Sequence, residues 1–400
     1  MHNRVITPFF LLLLFIVFFS VWVRPSTAAT VVSGQAHGKA NGLEAQQALE
    51  MDTSTKAVNL RQLLDLDAII PELARHQVVF VGEQHPRFDH HLNQLAIIRG
   101  LHRIHPKLVI GVEFFQQPFQ QYLEQFVADQ LTVEEFLKKT EYYDRWRYDF
   151  RLYAPILEFA RKNSIPILAL NVPTELIQKV GREGLEGLSE KERAQLPSEI
   201  DRSSVAYRER LQKVFENHPQ HFGKFETFYE AQLVWDEAMA ESASRYLKDH
   251  SDAHMIVLAG NGHLAYGVGI PERLNRRLDA TASVAIVLND WEGLVEPDIA
   301  DYLLLSEKKE LPKAGFLGVM LKQSSGKLEV NAFSEISAAK TAGIEEKDEL
   351  LSLNGRLVSD MADVKEVMWD KKPGEEVIVK VRRGAFMGKD EELEFKIKLK

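Results

Sequence analysis

The chain has 400 residues, of which 45% are hydrophobic and 27% charged, and its formal net charge at pH 7 is -9. This balance is typical of soluble globular proteins, and the length indicates two folded units. The negative charge argues against nucleic acid as a partner. The chain has no cysteine, which excludes disulfides, thiolate-held metal or haem, and a lipid-bearing N-terminal cysteine.

The first residues have the pattern of an export signal. Arg4 precedes an apolar stretch over 9–23, and small residues follow. We therefore expect a signal peptide over 1–29 and an exported bacterial protein of the periplasm or cell envelope. The apolar stretch is short for a membrane span, so membrane attachment would require an uncleaved signal anchor. A flexible linker rich in small and polar residues is expected over 30–56.

Short apolar runs alternate with longer segments of helical periodicity over 57–300. The runs predict strands at 78–81, 108–112, 165–170, 255–259 and 283–288. Because helices separate these strands, we expect an α/β domain with a mostly parallel sheet flanked by helices. The stretch between the third and fourth strands is too long for one crossover and predicts a helical insertion, which either covers the strand ends or completes the core.

The residue pattern changes after a charged link at 307–312, and this change predicts a second, mainly β domain over 311–400. Gly-bounded β runs occur at 315–321, 350–353, 377–381 and 393–399. Asn354-Gly355 directly follows one of these runs, which predicts a tight turn between two strands.

Polar side chains follow each predicted strand of the first domain. They are Glu83 and His85, Glu113, Asn171, His263 and Asp290. Carboxyl ends of parallel strands meet at one edge of a sheet, so these residues are expected to form a site. His85, Glu113 and His263 match the ligand set of a divalent metal ion that activates water. Without metal, His85 could act as the general base, with its tautomer fixed by Glu83 or Glu113.

Segment 141–153 is a candidate cofactor surface because aromatic residues alternate with arginines in it. Its candidate residues are Tyr142, Tyr143, Arg145, Trp146 and Tyr148. Arginine pairs with carboxylates, aromatic rings stack on a planar macrocycle, and a phenolate can ligate ferric haem. The alternative is that these rings pack the helical layer on the sheet. His91, and Gln232 with Asp236 at i, i+4 spacing, are further candidates to face the site.

The motifs Gly82-Glu83-Gln84-His85 and Gly260-Asn261-Gly262-His263, together with Glu113 and the aromatic segment, resemble the ChaN-like haem-binding uptake family. This family belongs to the superfamily of the Tiki metalloproteases and is similar to erythromycin esterase-like hydrolases. The resemblance covers 78–288. It implies that His85, Glu113 and His263, with Glu83 close by, are the metal or catalytic set, and that the domain either binds haem or iron or catalyses hydrolysis.

The second domain resembles bacterial PDZ domains of exported proteases. The resemblance implies that Phe316, Leu317, Gly318 and Val319 form a carboxylate-binding loop. It also implies that the strand from Val319 pairs with an extended peptide and that a helix near 362–368 forms the other wall of the groove. The expected partners are therefore protein C-termini or extended peptides, unless the chain closes its own groove.

The sequence thus predicts an exported haem- or iron-binding protein with a peptide-binding module. A metal-dependent hydrolase or peptidase that uses the His/Glu/His site is the first alternative. An inactive binding adaptor is the second.

Overall fold

The computed structural model describes residues 58–217, 223–278, 282–291, 295–384 and 389–400. The expected signal peptide over 1–29 and linker over 30–56 lie outside the described residues. Within the described ranges, every helix is too short or too polar to cross a membrane.

The first domain is built on a six-stranded sheet in which all neighbouring strands are parallel. Its strands are β1 (Val78–Glu83), β2 (Leu108–Gln116), β3 (Ile167–Asn171), β4 (His254–Gly260), β5 (Val284–Asn289) and β6 (Tyr302–Leu304). The strand order is β3-β2-β4-β1-β5-β6. The central strands are buried along almost their whole length because helices cover both faces of the sheet. The predicted fold class is confirmed, and β6 lies beyond position 300.

Helices of this domain flank the sheet. They are α1 (Leu66–Leu73), α2 (Phe88–Ile104), α3 (Gln120–Val127), α4 (Val133–Lys139), α5 (Tyr142–Arg145), α6 (Ala154–Lys162), α7 (Thr174–Glu183), α8 (Glu190–Arg193), α9 (Val205–Asn217), α10 (Phe225–Asp249), α11 (Asn261–Leu264) and α12 (Ile270–Arg277). Within the helical insertion, α8 and α9 are separate helices. Pro197 lies between them, where it has no N–H to donate to a continuing helix.

The helical insertion between β3 and β4 completes the core and also reaches the strand ends. Its longest helix, α10, packs against β3, α7 and α12, and most of its apolar residues are buried. On the same helix Trp235 and Asp236 contact His263, which follows β4. The insertion therefore forms part of the flanking layer and supplies residues to the site.

The second domain contains an antiparallel sheet in the order β12-β11-β9-β8-β7, with β10 paired to β9. Its elements are β7 (Val319–Ser324), β8 (Lys327–Phe333), α13 (Ala338–Ala342), β9 (Glu349–Leu353), β10 (Arg356–Leu357), α14 (Met361–Met368), β11 (Glu376–Arg383) and β12 (Glu391–Lys398). Asn354 and Gly355 form the expected tight turn between β9 and β10, with φ of 48° and 78°. The mainly β character of this domain is confirmed.

Candidate functional site

The strand order brings three strand ends together at one edge of the sheet. β4 lies between β1 and β2, so His85 after β1, His263 after β4 and Glu113 within β2 are neighbours. Gly260, the last residue of β4, is next to two of them: a Cβ added to it would lie 3.2 Å from His85 Cε1 and 3.7 Å from Glu113 Oε2. The two histidines therefore belong to one centre.

The side chain of His85 is oriented by a buried carboxylate. His85 Nδ1 lies 2.7 Å from Glu83 Oε1, which also accepts a hydrogen bond of 2.9 Å from the Tyr153 hydroxyl. The other oxygen, Glu83 Oε2, accepts from Gln94 Nε2 at 2.8 Å and lies 3.1 Å from His91 Nδ1. Each of the two Glu83 carboxylate oxygens therefore has two polar partners.

These contacts fix the proton on His85. Burial alone would raise the pKa of Glu83, but the His91 imidazole and hydrogen bonds from His85 and His91 outweigh it and hold this pKa well below its usual range. Because the carboxylate is ionised, His85 Nδ1 must donate to it. In the neutral ring the other nitrogen, Nε2, then carries the lone pair, and it is buried without a hydrogen-bond partner in the described part of the chain.

A second imidazole is held in the same way. His263 Nδ1 makes a short contact with Asp236 Oδ1, and the Tyr207 hydroxyl donates to Asp236 Oδ2 at 2.7 Å. Burial alone would lower the pKa of His263, but the negative charges of Asp236 and Glu113 outweigh it and raise this pKa to about 9. His263 Nε2 faces the first histidine's side of the site, 3.5 Å from Glu113 Oε1.

Glu113 lies between the two imidazoles and is almost fully buried. Its Oε2 accepts a hydrogen bond of 2.7 Å from the Gly260 N–H, and Asn171 Nδ2 donates to its backbone carbonyl at 3.1 Å. Its Oε1 has no hydrogen-bond partner among the described residues. A buried lone pair without a donor is costly, so the site is built to receive a polar group there.

A cavity of about 100 Å³ opens onto Glu113. Trp146, Tyr148 and Trp235 supply its aromatic walls, and Arg145 and Asn171 supply polar atoms. Pockets for drug-sized molecules usually measure about 300–1,000 Å³. This space is enough for water and a small polar group and is too small for an enclosed porphyrin, so the residues around it do not fit a haem held inside the centre.

Two of the four candidate haem-binding aromatic residues lie in the core. Tyr142 is 1% exposed and Tyr143 is 7% exposed, and burial raises the pKa of both phenols. They pack the helical layer, which is the alternative considered for this segment. Trp146 and Tyr148 are half-buried and contact the His85 ring, with centroid distances of 4.7 and 5.1 Å. Burial raises the pKa of Tyr148 to about 12.

The remaining candidates are dispersed around the centre. Arg145 is half-buried and bonded to Gln116 and Glu175. His91 supports Glu83, as described above. Gln232 is half-buried on α10.

Asp290, after β5, belongs to a separate cluster. Among the described residues, Asp89, His90 and Asp290 are the group of three whose ligand-type atoms lie within 4.8 Å of one another. The Arg87 guanidinium already binds both carboxylates, at 2.6 and 2.7 Å. His90 Nδ1 accepts from the Gln84 N–H, which leaves its Nε2 to donate to Asp290. These side chains are therefore already paired with one another and with Arg87, and they connect the start of α2, which follows β1, with the end of β5.

Sequence reasoning missed Tyr207 and did not assign Tyr153 its role. Tyr207 lies on α9, far from any motif, and nothing in its local sequence connects it with Asp236. Tyr153 is inside the aromatic segment, where the pattern indicated a planar ligand rather than a bond to Glu83.

The segment over 316–319, which we expect to be the carboxylate loop of the second domain, is held in place by a glycine and by a backbone hydrogen bond. Gly318 has φ of 74°, and a Cβ there would lie 2.6 Å from Ser337 Cα. The Leu317 carbonyl accepts from the Ala339 N–H at 2.9 Å, which fixes the loop on α13. Phe316 is 44% exposed. Strand β7 pairs with β8 alone in the described chain, so its outer edge is open to an extended peptide.

Two family models match the chain. One, described as "Haem-binding uptake, Tiki superfamily, ChaN", matches residues 69–274, and a PDZ domain model matches 315–399. "Protein RETICULATA-RELATED 5, chloroplastic" of Arabidopsis thaliana is 25% identical over 268 residues, which are 60% of this chain and 36% of that protein. The chain therefore spans about a third of the length of this relative.

Solved structures are similar at lower identity. ChaN of Campylobacter jejuni, described with cofacial haem binding, is 16% identical, with 60% of this chain and 91% of that chain covered and a TM-score of 0.49. The H289N mutant of the erythromycin esterase EreC is 15% identical, with 57% and 74% covered and a TM-score of 0.37. Because the first family model covers more than half of its residues, the chain belongs to the ChaN haem-binding uptake family of the Tiki superfamily, and it also contains a PDZ domain.

Proposed function

We propose that the strand-end centre of the first domain is a hydrolytic site in which His85 is the general base. The observation that carries the proposal is the buried, unpaired Nε2 of His85, whose lone pair is fixed by the bond from Nδ1 to Glu83. An imidazole held in this tautomer by a carboxylate is the arrangement that general-base catalysis needs. Water is the nucleophile, since among the described residues none of those that contact the His85 side chain or line the cavity is a serine or cysteine.

The reaction proceeds at a small ester or similar acyl group placed in the cavity beside Glu113. His85 Nε2 takes a proton as the water oxygen bonds to the carbonyl carbon. The bond from that carbon to the leaving oxygen then breaks, and the leaving oxygen takes the proton. His263, held by Asp236, directs its Nε2 toward the same space and stabilises the negative charge on the former carbonyl oxygen.

The same donor set bears on the metal hypothesis. Two imidazoles and a glutamate suit Zn²⁺ or Fe²⁺. However, the ligand-type atoms of His85, Glu113 and His263 do not all lie within 4.8 Å of one another, although His263 Nε2 and Glu113 Oε1 are 3.5 Å apart, whereas all donors around one ion are closer than 4.8 Å. The residues would have to move together to share an ion. We therefore favour water activation by His85 without metal.

Hydrolysis of small p-nitrophenyl esters by the purified chain tests the proposal. We expect His85→Gln and Glu83→Gln to lower kcat/KM by about 100-fold or more, because the base or its tautomer is lost. His250→Ala is the matched control, since His250 is exposed on α10 and bonded to a backbone carbonyl. Turnover that a chelator abolishes would favour the metal alternative. Absent turnover, or equal turnover in all variants that keep the native circular dichroism spectrum, would contradict the proposal.

Haem binding is the second candidate function, and the family membership favours it. Trp146 and Tyr148 are the half-buried aromatic residues beside the cavity, so they are the ones that a planar ligand outside it could reach. Titration with haemin should then give a Soret band that Tyr148→Ala weakens and Tyr142→Phe leaves unchanged, because Tyr142 is in the core. Absence of the band in the unmodified chain would reject this function.

A further inference from the structure

Besides the side that packs on its own sheet, helix α14 of the PDZ domain has two other faces. One of its faces carries Met361 and Met368 at i, i+7 spacing, and in a PDZ domain this helix and the open edge of β7 form the two walls of the peptide groove. Met361 is 39% exposed, and Met320 on β7 is 55% exposed, so both walls of the groove are accessible. A second face is docked on the first domain.

The docked face makes specific contacts with helices α4 and α5 and with the aromatic segment 141–153. Ala362 is buried in the hydrophobic core of the first domain. The Trp369 ring, next to the end of α14, meets the Phe150 ring edge-on at 5.3 Å. Lys365 Nζ lies 5.4 Å above the Tyr143 ring. One helix thus connects the peptide groove with the aromatic segment.

The opposite side of the aromatic segment forms the wall of the hydrolytic site. Trp146 and Tyr148 contact the His85 ring, and the Tyr153 hydroxyl bonds to Glu83. Segment 141–153 is therefore enclosed between α14 and His85. A shift of α14 must be accommodated by this segment, because close-packed side chains leave no free volume to absorb it.

The docked interface also contains polar atoms that gain nothing from docking. Glu366 Oε2 and Trp369 Nε1 are buried and lack hydrogen-bond partners in the described ranges. The nearest cation to Glu366 is the Arg356 guanidinium, 3.9 Å away. Such groups would be hydrated if α14 moved away from the first domain. The interface is thus weaker than its apolar contacts alone would make it.

We propose that an extended peptide with a free C-terminal carboxylate binds between β7 and α14 and loosens the contact of α14 with segment 141–153. The packing of Trp146 and Tyr148 against His85 then changes. The peptide groove is then a regulatory site for the first domain. The last step, an effect on turnover, rests on the proposed hydrolytic function. The loosening of the segment does not depend on that function.

Hydrogen exchange of the full chain tests the coupling. The probes are short peptides that end in Val, Leu, Ile, Phe or Ala with a free carboxylate, and the same peptides amidated at the C-terminus. We expect a free-carboxylate peptide to bind and to speed amide exchange in segment 141–153 by about threefold or more, and the amidated form to do neither. Unchanged or slower exchange with bound peptide, or no binding by any of the peptides, overturns the proposal.

Two adjacent substitutions separate the groove from the docked face. Ala362→Arg places a charge in the docked face, so segment 141–153 should exchange fast without peptide and respond no further, while peptide affinity is retained. Met361→Arg places the same charge in the groove, so peptide affinity should fall by tenfold or more and the unliganded exchange pattern should stay unchanged. If both variants behave like the unmodified chain, the coupling does not exist.

Ester turnover measured alongside distinguishes the two proposals. Peptide-dependent exchange without any turnover leaves the coupling intact and removes the hydrolytic function. Turnover that depends on His85 but not on peptide, with exchange also unresponsive, leaves the hydrolytic function and removes the coupling.

Discussion

Each imidazole of the centre is held by a carboxylate that is itself held by a tyrosine hydroxyl. His85 is bonded to Glu83 and Glu83 to Tyr153, and His263 is bonded to Asp236 and Asp236 to a second tyrosine. In a buried setting each hydroxyl satisfies a carboxylate lone pair and restricts the side-chain rotamer. The two rings are therefore held in fixed orientations, and in each of them Nε2 is the nitrogen directed toward the site.

Replacement of Asp236 by Asn should lower the pKa of His263 and remove a pH-dependent part of the stability. Because the folded pKa of about 9 exceeds the ordinary value of 6.5, this stabilisation is complete below about pH 6.5 and is lost as pH rises through 9. We expect Asp236→Asn to cost on the order of 2 kcal/mol at pH 6 and much less at pH 10. Urea unfolding at both values measures the cost.

An NMR titration of the His263 ring checks the cause. Its midpoint should move from near 9 toward or below 6.5 in the variant. An unmoved midpoint would show that Glu113, rather than Asp236, supplies the stabilising charge.

The glycines near the ends of β1 and β4 make room for residues that follow the neighbouring strand. A Cβ on Gly82, within β1, would lie 2.2 Å from Asn261 Oδ1 after β4, and a Cβ on Gly260, at the end of β4, would lie 3.2 Å from His85 after β1. Asn261 Nδ2 in turn donates to the Asn289 carbonyl at the end of β5. The similar motifs seen in the sequence are thus two halves of one contact between adjacent strand ends.

Alanine at these two glycines should therefore have different effects. Gly82→Ala must displace a side chain that is bonded at the strand ends, and we expect a loss of about 1–3 kcal/mol in unfolding free energy. Gly260→Ala brings a methyl group against the His85 ring at a distance that a small shift can relieve. We expect it to fold with less than about 1 kcal/mol lost and to lose ester turnover. Urea unfolding and kcat/KM of both variants measure this, and equal stability losses would contradict it.

The sequence was sufficient for elements whose signal is local. The five long parallel strands and the Asn354-Gly355 turn follow from apolar runs and turn residues. Strand order was not predictable, because nothing in the sequence says that β4 inserts between β1 and β2. The aromatic pattern of 141–153 likewise does not distinguish rings packed inside from rings open to a ligand, and most of them pack inside.

The two domains share an interface that the sequence did not predict. The sequence indicated only a charged link between the domains. Besides the contacts of α14, Lys138 Nζ of the first domain lies 3.0 Å from Asp363 Oδ1, and Arg151 donates to the Pro312 carbonyl at 2.8 Å. Exposed ion pairs of this kind contribute little, so apolar contacts and the state of Glu366 decide how firmly the domains dock.

Glu366 makes the docking pH-dependent. Burial raises the pKa of its carboxyl to about 7, with Asp363 and Asp360 adding to the rise and Lys138 and Arg356 opposing it. The folded chain therefore holds this proton more tightly than the unfolded chain, whose carboxyl titrates near 4.5. Stability should fall as pH rises from about 4.5 to about 7 and change little from this cause above that range.

Glu366→Gln should abolish this dependence, because an amide keeps the shape of the protonated carboxyl and cannot ionise. We expect the variant to match the unmodified chain at pH 4.5 and to exceed it by on the order of 1 kcal/mol at pH 8. Glu346→Gln, at an exposed position of the same domain, should change neither value. Urea unfolding of the full chain at the two pH values gives the result. A variant no more stable than the control at pH 8 would mean that water already reaches the carboxylate and that docking does not bury its charge.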